Sequence, residues 1–162
     1  MPIFKPTVIK KSITDISPLL LYELGILGLI LDVDNTLAKS DDKQPVDGLD
    51  QWLEDMRQGG IDLIILSNNS ARRVRPFAQS LGLRYISMAF KPLPPGYLRA
   101  IRAMGLERKR IAIVGDQIFT DVLGGNICGC KSILTEPVLL ETKLSFRIRR
   151  RFERILLKKY RP

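Results

Sequence analysis

The chain has no histidine among its 162 residues, which removes serine–histidine triads, histidine general bases and histidine-ligated zinc from consideration. Cysteine is nearly as scarce. Cys128 and Cys130 stand two apart, too few and too close for a zinc site or a disulfide framework, and they read as small apolar residues beside a strand. Nothing here asks for an oxidising compartment. A run long enough to span a membrane is also lacking: the most apolar stretch, Leu19 to Leu31, is shorter than the ~20 residues a spanning helix needs, and Glu23 interrupts it. Basic residues precede that stretch, as in a signal peptide, but it runs straight into Asp32 without a small-residue cleavage site. It reads as a short helix over Ser17 to Leu24, a turn at Gly25 and a first strand.

Acidic residues are scarce in one region. The chain holds 26 Lys and Arg against 17 Asp and Glu, for a net charge of +9, and nine of the basic residues but only one acid, Glu153, lie between Lys143 and Arg161. Residues 1–142 are therefore nearly neutral and read as one domain, whose core the 45% hydrophobic content can fill. Residues 143–162 read as a basic C-terminal helix. At 100° per residue, Leu144, Ile148, Phe152, Ile155 and Leu156 share one arc, widened by Phe146, Leu157 and Tyr160. Lys143, Arg147, Arg150, Arg151, Arg154, Lys158 and Arg161 fall on the other side, with only Arg149 and Lys159 out of place. Such a helix suits the plane of an anionic membrane surface, where each basic residue adds roughly 1 kcal/mol. Two other uses stay open: packing on the body with a solvated basic face, and contact with nucleic-acid phosphates, the weakest of the three.

The body alternates apolar runs with helical patterns. Gly28 to Leu37 reads Gly-Leu-Ile-Leu-Asp-Val-Asp-Asn-Thr-Leu, an apolar run ending in two carboxylates one residue apart, with the Thr36 hydroxyl beyond them. Further strands are expected over Ile61 to Leu66, Tyr85 to Ser87, Ile111 to Val114 and Lys131 to Thr135. Between them, Leu49, Trp52, Leu53 and Met56 mark a helix capped by Asp47 and ended by Gly59-Gly60. Val74, Phe77, Ala78 and Leu81 mark a second, started by Ser70 and disturbed at Pro76. Tyr97, Leu98, Ile101 and Met104 mark a third, and a short fourth runs from about Asp121 to Cys128. The expected fold class is α/β: a Rossmann-like parallel sheet of about five strands with helices on both faces.

Open parallel sheets bind ligands outside the carboxyl ends of their strands. The expected strand ends carry Asp32 and Asp34, Ser67, and Asp116, with Lys91 on the loop after the third strand. Each has an ordinary explanation as a loop or capping residue, and Asp121 reads equally well as a helix cap or a ligand. Together they fit one chemistry. A magnesium ion would take oxygens from Asp32, Asp116 and a backbone carbonyl near Asp34, while Ser67 and Lys91 hold a phosphate monoester. Asp32 would attack phosphorus to give an aspartyl-phosphate, and Asp34 would protonate the leaving alkoxide and then activate water.

These residues resemble the haloacid dehalogenase superfamily of phosphohydrolases. Its first motif matches Asp32-Val33-Asp34-Asn35-Thr36, its second Ser67-Asn68-Asn69, its third Lys91 before Pro92, and its fourth Gly115-Asp116 with Asp121 following. The resemblance implies Asp32 as nucleophile, Asp34 as acid and base, Ser67, Asn68 and Lys91 on the phosphate, and Asp32, Asp34 (through its main-chain carbonyl), Asp116 and Asp121 around Mg2+. Larger members insert a cap domain between the motifs. Ala38 to Gly60 and Ser70 to Phe90 leave no room for one, which implies the capless subclass IIIA and a substrate that covers the open site itself. Within it the chain is similar to the YqeG-like subgroup, akin to mitochondrial phosphatidylglycerophosphate phosphatase. That likeness implies an anionic phospholipid substrate, met by a cytoplasmic protein bound peripherally to the membrane. A phosphatase of nucleotides or nucleic-acid ends is the enzymatic alternative. A phospho-accepting receiver domain is the other, but receivers carry their accepting aspartate on the third strand, where this chain has Lys91.

Overall fold

The computed structural model describes residues 2–39, 43–138 and 144–160. A single parallel sheet organises them, with strands β1 (Val8–Lys10), β2 (Gly28–Leu31), β3 (Asp62–Leu66), β4 (Arg84–Ile86), β5 (Ile111–Gly115) and β6 (Lys131–Thr135). Their order across the sheet is β1-β6-β5-β2-β3-β4, every neighbouring pair parallel. The helices are α1 (Pro18–Glu23), α2 (Leu49–Gln58), α3 (Ala71–Leu81), α4 (Pro94–Met104), α5 (Leu123–Ile127) and α6 (Leu144–Tyr160), with a π-helical turn over Ile118–Val122 just before α5. The chain builds outward from β2 through β3 to β4, then crosses back to β5 on the other side of β2. That reversal makes the β2 tip a topological switch point.

Both faces of the sheet are covered, so its central strands can be apolar throughout. In β2, Leu29 and Leu31 point into one core with Trp52, Leu53, Val74 and Phe77, while Ile30 points into the other with Tyr97, Ala100 and Ile113. Cys128 and Cys130 are free thiols buried in that second core, and burial beside one another pushes the Cys130 thiol up to about 12.

The sheet has six strands, against about five expected. The extra one, β1, pairs Val8, Ile9 and Lys10 with Ile133, Leu134 and Thr135. A three-residue edge strand carries too short an alternation to stand out by pattern. Helix starts also differ from those expected. The α2 N-cap is Gly48 in the left-handed region (φ +79°), because the chain turns there, and Asp47 lies outside the helix. Helix α3 runs unbroken through Pro76, and Ser70 occupies its N-cap position without a side-chain bond. Arg72 and Pro76 are both exposed, so the proline lies on the outer face of the helix. Around the first motif the described residues add only α2 before β3, and only α3 and β4 before Lys91, so no cap domain stands over the sheet. No helix among the described residues is long and apolar enough to cross a membrane.

Candidate active site

β2 and β5 lie side by side, with Leu31 opposite Val114, so their next residues emerge together. Asp32 prolongs the ladder by one bond, its N–H donating to the Val114 carbonyl at 2.9 Å. The main-chain N–H groups of Thr36, Leu37 and Ala38 then all turn back on the Val33 carbonyl, and Asn35 adopts φ +60°. This tight loop keeps Asp34 at the rim. Its Oδ2 accepts from Asn69 Nδ2 at 2.9 Å, and burial together with the Asp32 charge raises the pKa of its carboxyl.

Asp116 ends β5, and Asp121 folds back from the π-helical turn to meet it. That return depends on Gly115: a Cβ there would fall 2.2 Å from the Asp121 carboxylate carbon. Asp121 lies inside the turn, not at its start, which replaces the reading of it as a helix cap; its Oδ2 accepts the Gln117 N–H at 3.2 Å. Asp32, Asp116 and Asp121 each offer a carboxylate oxygen within 4.8 Å of the others. Burial, then Asp32, raises the Asp116 pKa well above the ordinary aspartate value, against the pull of Arg150. Burial also pushes Asp121 up to about 6, against Lys91 and helped by Asp32. Asp116 Oδ1 is buried without a hydrogen-bond partner. Three crowded oxygen donors, two of which resist ionisation and one of which has an unsatisfied atom, fit a hard divalent cation.

Lys91 reaches the same cluster from the loop after β4. Its Nζ stands 2.7 Å from Asp32 Oδ1 and 2.8 Å from Asp121 Oδ1. Burial opposes that charge, but the two carboxylates outweigh it and raise the ammonium's pKa. Asn68 braces the loop, its Oδ1 accepting the Lys91 N–H at 2.6 Å. Ser67 is buried, and its Oγ accepts from the Asn69 N–H at 3.1 Å, which leaves the hydroxyl hydrogen able to donate elsewhere. The flanking residues Phe90 and Leu93 are exposed, and Phe90 holds φ +52°, a left-handed conformation costly for a bulky side chain.

Asp32, Asp34, Ser67, Asn68 and Lys91 line one cavity of about 220 Å³, so residues expected from three separated stretches share a single mouth, while Asp116 and Asp121 are not part of its lining. Thr36 is buried beneath the rim and does not line it. Sequence reasoning missed four lining residues: Asn69, which stood there only as the third member of a motif, Gln117, Thr120 and Arg149. The lone acid of the basic tail was the available signal for the last. Glu153 is buried, its Oε1 accepting the Ile118 N–H at 2.9 Å, and it seats α6 against the rim. Arg150, expected on the cationic face, turns inward instead. It donates to the Asp116 carbonyl at 2.5 Å and to Asp116 Oδ2, because a buried carboxylate needs a partner. Of the apolar arc, Ile148, Phe152 and Ile155 face the other way, 51–59% exposed, while Leu157 at its margin packs against the body. Lys143 and Arg161 lie outside the described residues.

A protein-family model described as haloacid dehalogenase-like hydrolase matches residues 19–129. A Bacillus subtilis (strain 168) protein named "Probable phosphatase YqeG" is 40% identical over 154 residues, covering 95% of this chain and 90% of that protein. Among solved structures, an uncharacterized protein from Listeria monocytogenes serotype 4b superposes with a TM-score of 0.59 at 16% identity, covering 74% of this chain and 84% of that one. The cobalt-bound form of the deoxy-D-mannose-octulosonate 8-phosphate phosphatase from Haemophilus influenzae superposes with a TM-score of 0.52 at 17% identity, covering 77% and 75%. At these identities the two structures speak for the fold alone.

Proposed function

The chain belongs to the haloacid dehalogenase-like hydrolase family and is a phosphatase, and from that premise we propose that it uses Mg2+ to remove the terminal phosphate of phosphatidylglycerophosphate, giving phosphatidylglycerol. Asp32, Asp116 and Asp121, with the Asp34 main-chain carbonyl, would hold the cation. Once bound, it would offset phosphate charge and fix one phosphate oxygen. Asp32 attacks phosphorus as the bond to the leaving alkoxide breaks, and an aspartyl-phosphate forms. Asp34 gives its proton to that alkoxide; its raised pKa suits the acid role. Water then loses a proton to Asp34 and attacks the intermediate, releasing inorganic phosphate and restoring Asp32. Ser67 and Lys91 meet the phosphoryl oxygens throughout, as donors already in position.

The observation that carries the lipid reading is the orientation of α6. The helix that brings Arg149 to the mouth leaves Ile148, Phe152 and Ile155 exposed, flanked by Arg147, Arg151, Arg154 and Lys158. Phe90 and Leu93 are exposed on either side of Lys91. Apolar side chains rimmed by cations around an uncapped site suit a protein resting on the cytoplasmic face of an anionic membrane and drawing a head group inward.

A hydrolysis panel with Mg2+ tests this, offering phosphatidylglycerophosphate in vesicles, phosphatidic acid, nucleotides, 5′-phosphorylated oligonucleotides and sugar phosphates. Phosphatidylglycerophosphate should give the highest kcat/KM, and Asp32→Asn should lower it by at least about 10⁴-fold. Faster turnover of nucleotides or oligonucleotide ends would overturn the lipid assignment and favour the alternative.

A further inference from the structure

The cavity that exposes Asp32 is small. At about 220 Å³ it falls below the ~300–1,000 Å³ of pockets that enclose whole ligands, so it accepts a phosphoryl group and the first atoms beyond it. The remainder of any substrate must leave across the lip. Among the described lining residues, Gln117 and Thr120 come from the stretch between Asp116 and Asp121 and Arg149 comes from α6, and Arg149 alone of the three is charged. Lys91, the other lining cation, is buried against Asp32 and Asp121, where it serves the reacting phosphoryl group and not what lies beyond the lip.

Arg149 is held in this position by its neighbours. Arg150 bonds the carboxylate and carbonyl of Asp116, Glu153 takes the Ile118 N–H, and Leu157 packs with Ile118, Val122 and Leu134. Positions 150, 153 and 157 form one helical face, so these contacts set the rotation of α6 about its axis. The residue before Arg150 lies ~100° round the helix, and Arg149 Nη1 donates to Gln117 Oε1 at 3.0 Å above the cavity. A guanidinium is a planar fork of N–H donors whose spacing matches a pair of phosphate oxygens.

We propose that Arg149 determines specificity by gripping a second anionic group, a phosphodiester, on substrates whose phosphomonoester occupies the catalytic cavity. The selected class is thus a phosphomonoester with a phosphodiester a few bonds away. This deepens the phosphatase reading above and rests on it. Helix α6 then does part of what a cap domain does elsewhere: it supplies recognition from outside the sheet.

The test compares wild type, Arg149→Ala, Arg149→Gln and Arg149→Lys on three substrates. Deacylated phosphatidylglycerophosphate carries both phosphates and no acyl chains, phosphatidylglycerophosphate in vesicles adds the membrane, and glycerol 3-phosphate carries the monoester alone. The Ala and Gln variants should lose roughly 10- to 100-fold in kcat/KM on both doubly phosphorylated substrates, mainly through KM, and far less on glycerol 3-phosphate. Lys should recover part of the loss. Equal losses on all three substrates would mean a structural role and overturn the proposal, as would no loss on the deacylated head group. If wild type instead prefers another compound with a monoester and a diester, such as a 5′-phosphorylated dinucleotide, and Arg149→Gln abolishes that preference, the lipid assignment falls while the role of Arg149 stands.

Discussion

On one side of the catalytic mouth, β2 and β5 deliver Asp32 and Asp116 from strands buried along their whole length. On the other, α6 delivers Arg149 and Arg150 from a helix whose only fully buried described side chain is Glu153. The first side is held by the hydrophobic effect, roughly 1.5–3 kcal/mol for each buried Leu, Ile or Val. The second is held by a few charged bonds, with Leu157 as its apolar contact. The chemistry therefore rests on the core, while recognition rests on an element that charge and ligand can adjust. An Arg150–Asp116 pair also stabilises less than its geometry suggests, because burying Asp116 costs several kcal/mol before the pair returns any of it.

The contrast can be broken most severely from the core side. Gly115→Ala drives a methyl group into Asp121, so the carboxylate must leave the cluster. Binding of Mn2+, followed by paramagnetic resonance, should fall beyond detection at concentrations that saturate wild type, with hydrolysis lost alongside. Retained Mn2+ affinity would show that Asp121 is dispensable to the site.

Arg150→Met should have a smaller effect, and one that depends on the cation. It keeps much of the side-chain volume but leaves Asp116 without its partner, at a cost of about 3 kcal/mol in urea unfolding of the metal-free protein. Added Mg2+ should restore much of that loss, since the cation supplies the missing positive charge. A loss unchanged by Mg2+ would mean that the metal does not meet Asp116.

The smallest effect is one of pH. Asp121 has a folded-state pKa of about 6 against an ordinary value of 3.8, so its ionisation burdens the metal-free fold above about pH 6, and that burden lifts as the pH falls toward 3.8. A cation relieves the ionised form and must displace a proton from the neutral one. The rise in Tm on adding Mg2+ should therefore be larger at about pH 7.5 than at about pH 5.5. A pH-independent rise would place the cation away from this cluster.

Much of this arrangement was visible in one dimension. The buried strands announce themselves as apolar runs, and the polar residues that stop them must gather at one edge once the strands are parallel. Ser17 caps α1 and Gly25 turns at φ +71°, both where local rules put them. Local rules failed where a residue answers to a distant partner. Asn69 gains its role from a bond to Asp34, and Gln117 from its nearness to Arg149. The apolar arc of α6 pointed to the wrong face for packing, since a strong amphipathic pattern says which residues avoid water and nothing about a buried carboxylate that needs a guanidinium.

Alternation of strand and helix, the position of the acids at strand tips and the lack of space for a cap were determined by the sequence alone, because each follows from spacing along the chain. Which oxygen of Asp116 would meet a cation, which face of α6 meets the rim and which arginine overlooks the cavity were decided only in three dimensions. Those outcomes depend on how buried charges far apart in sequence find partners, and a desolvated charge accepts whichever partner the fold brings within reach.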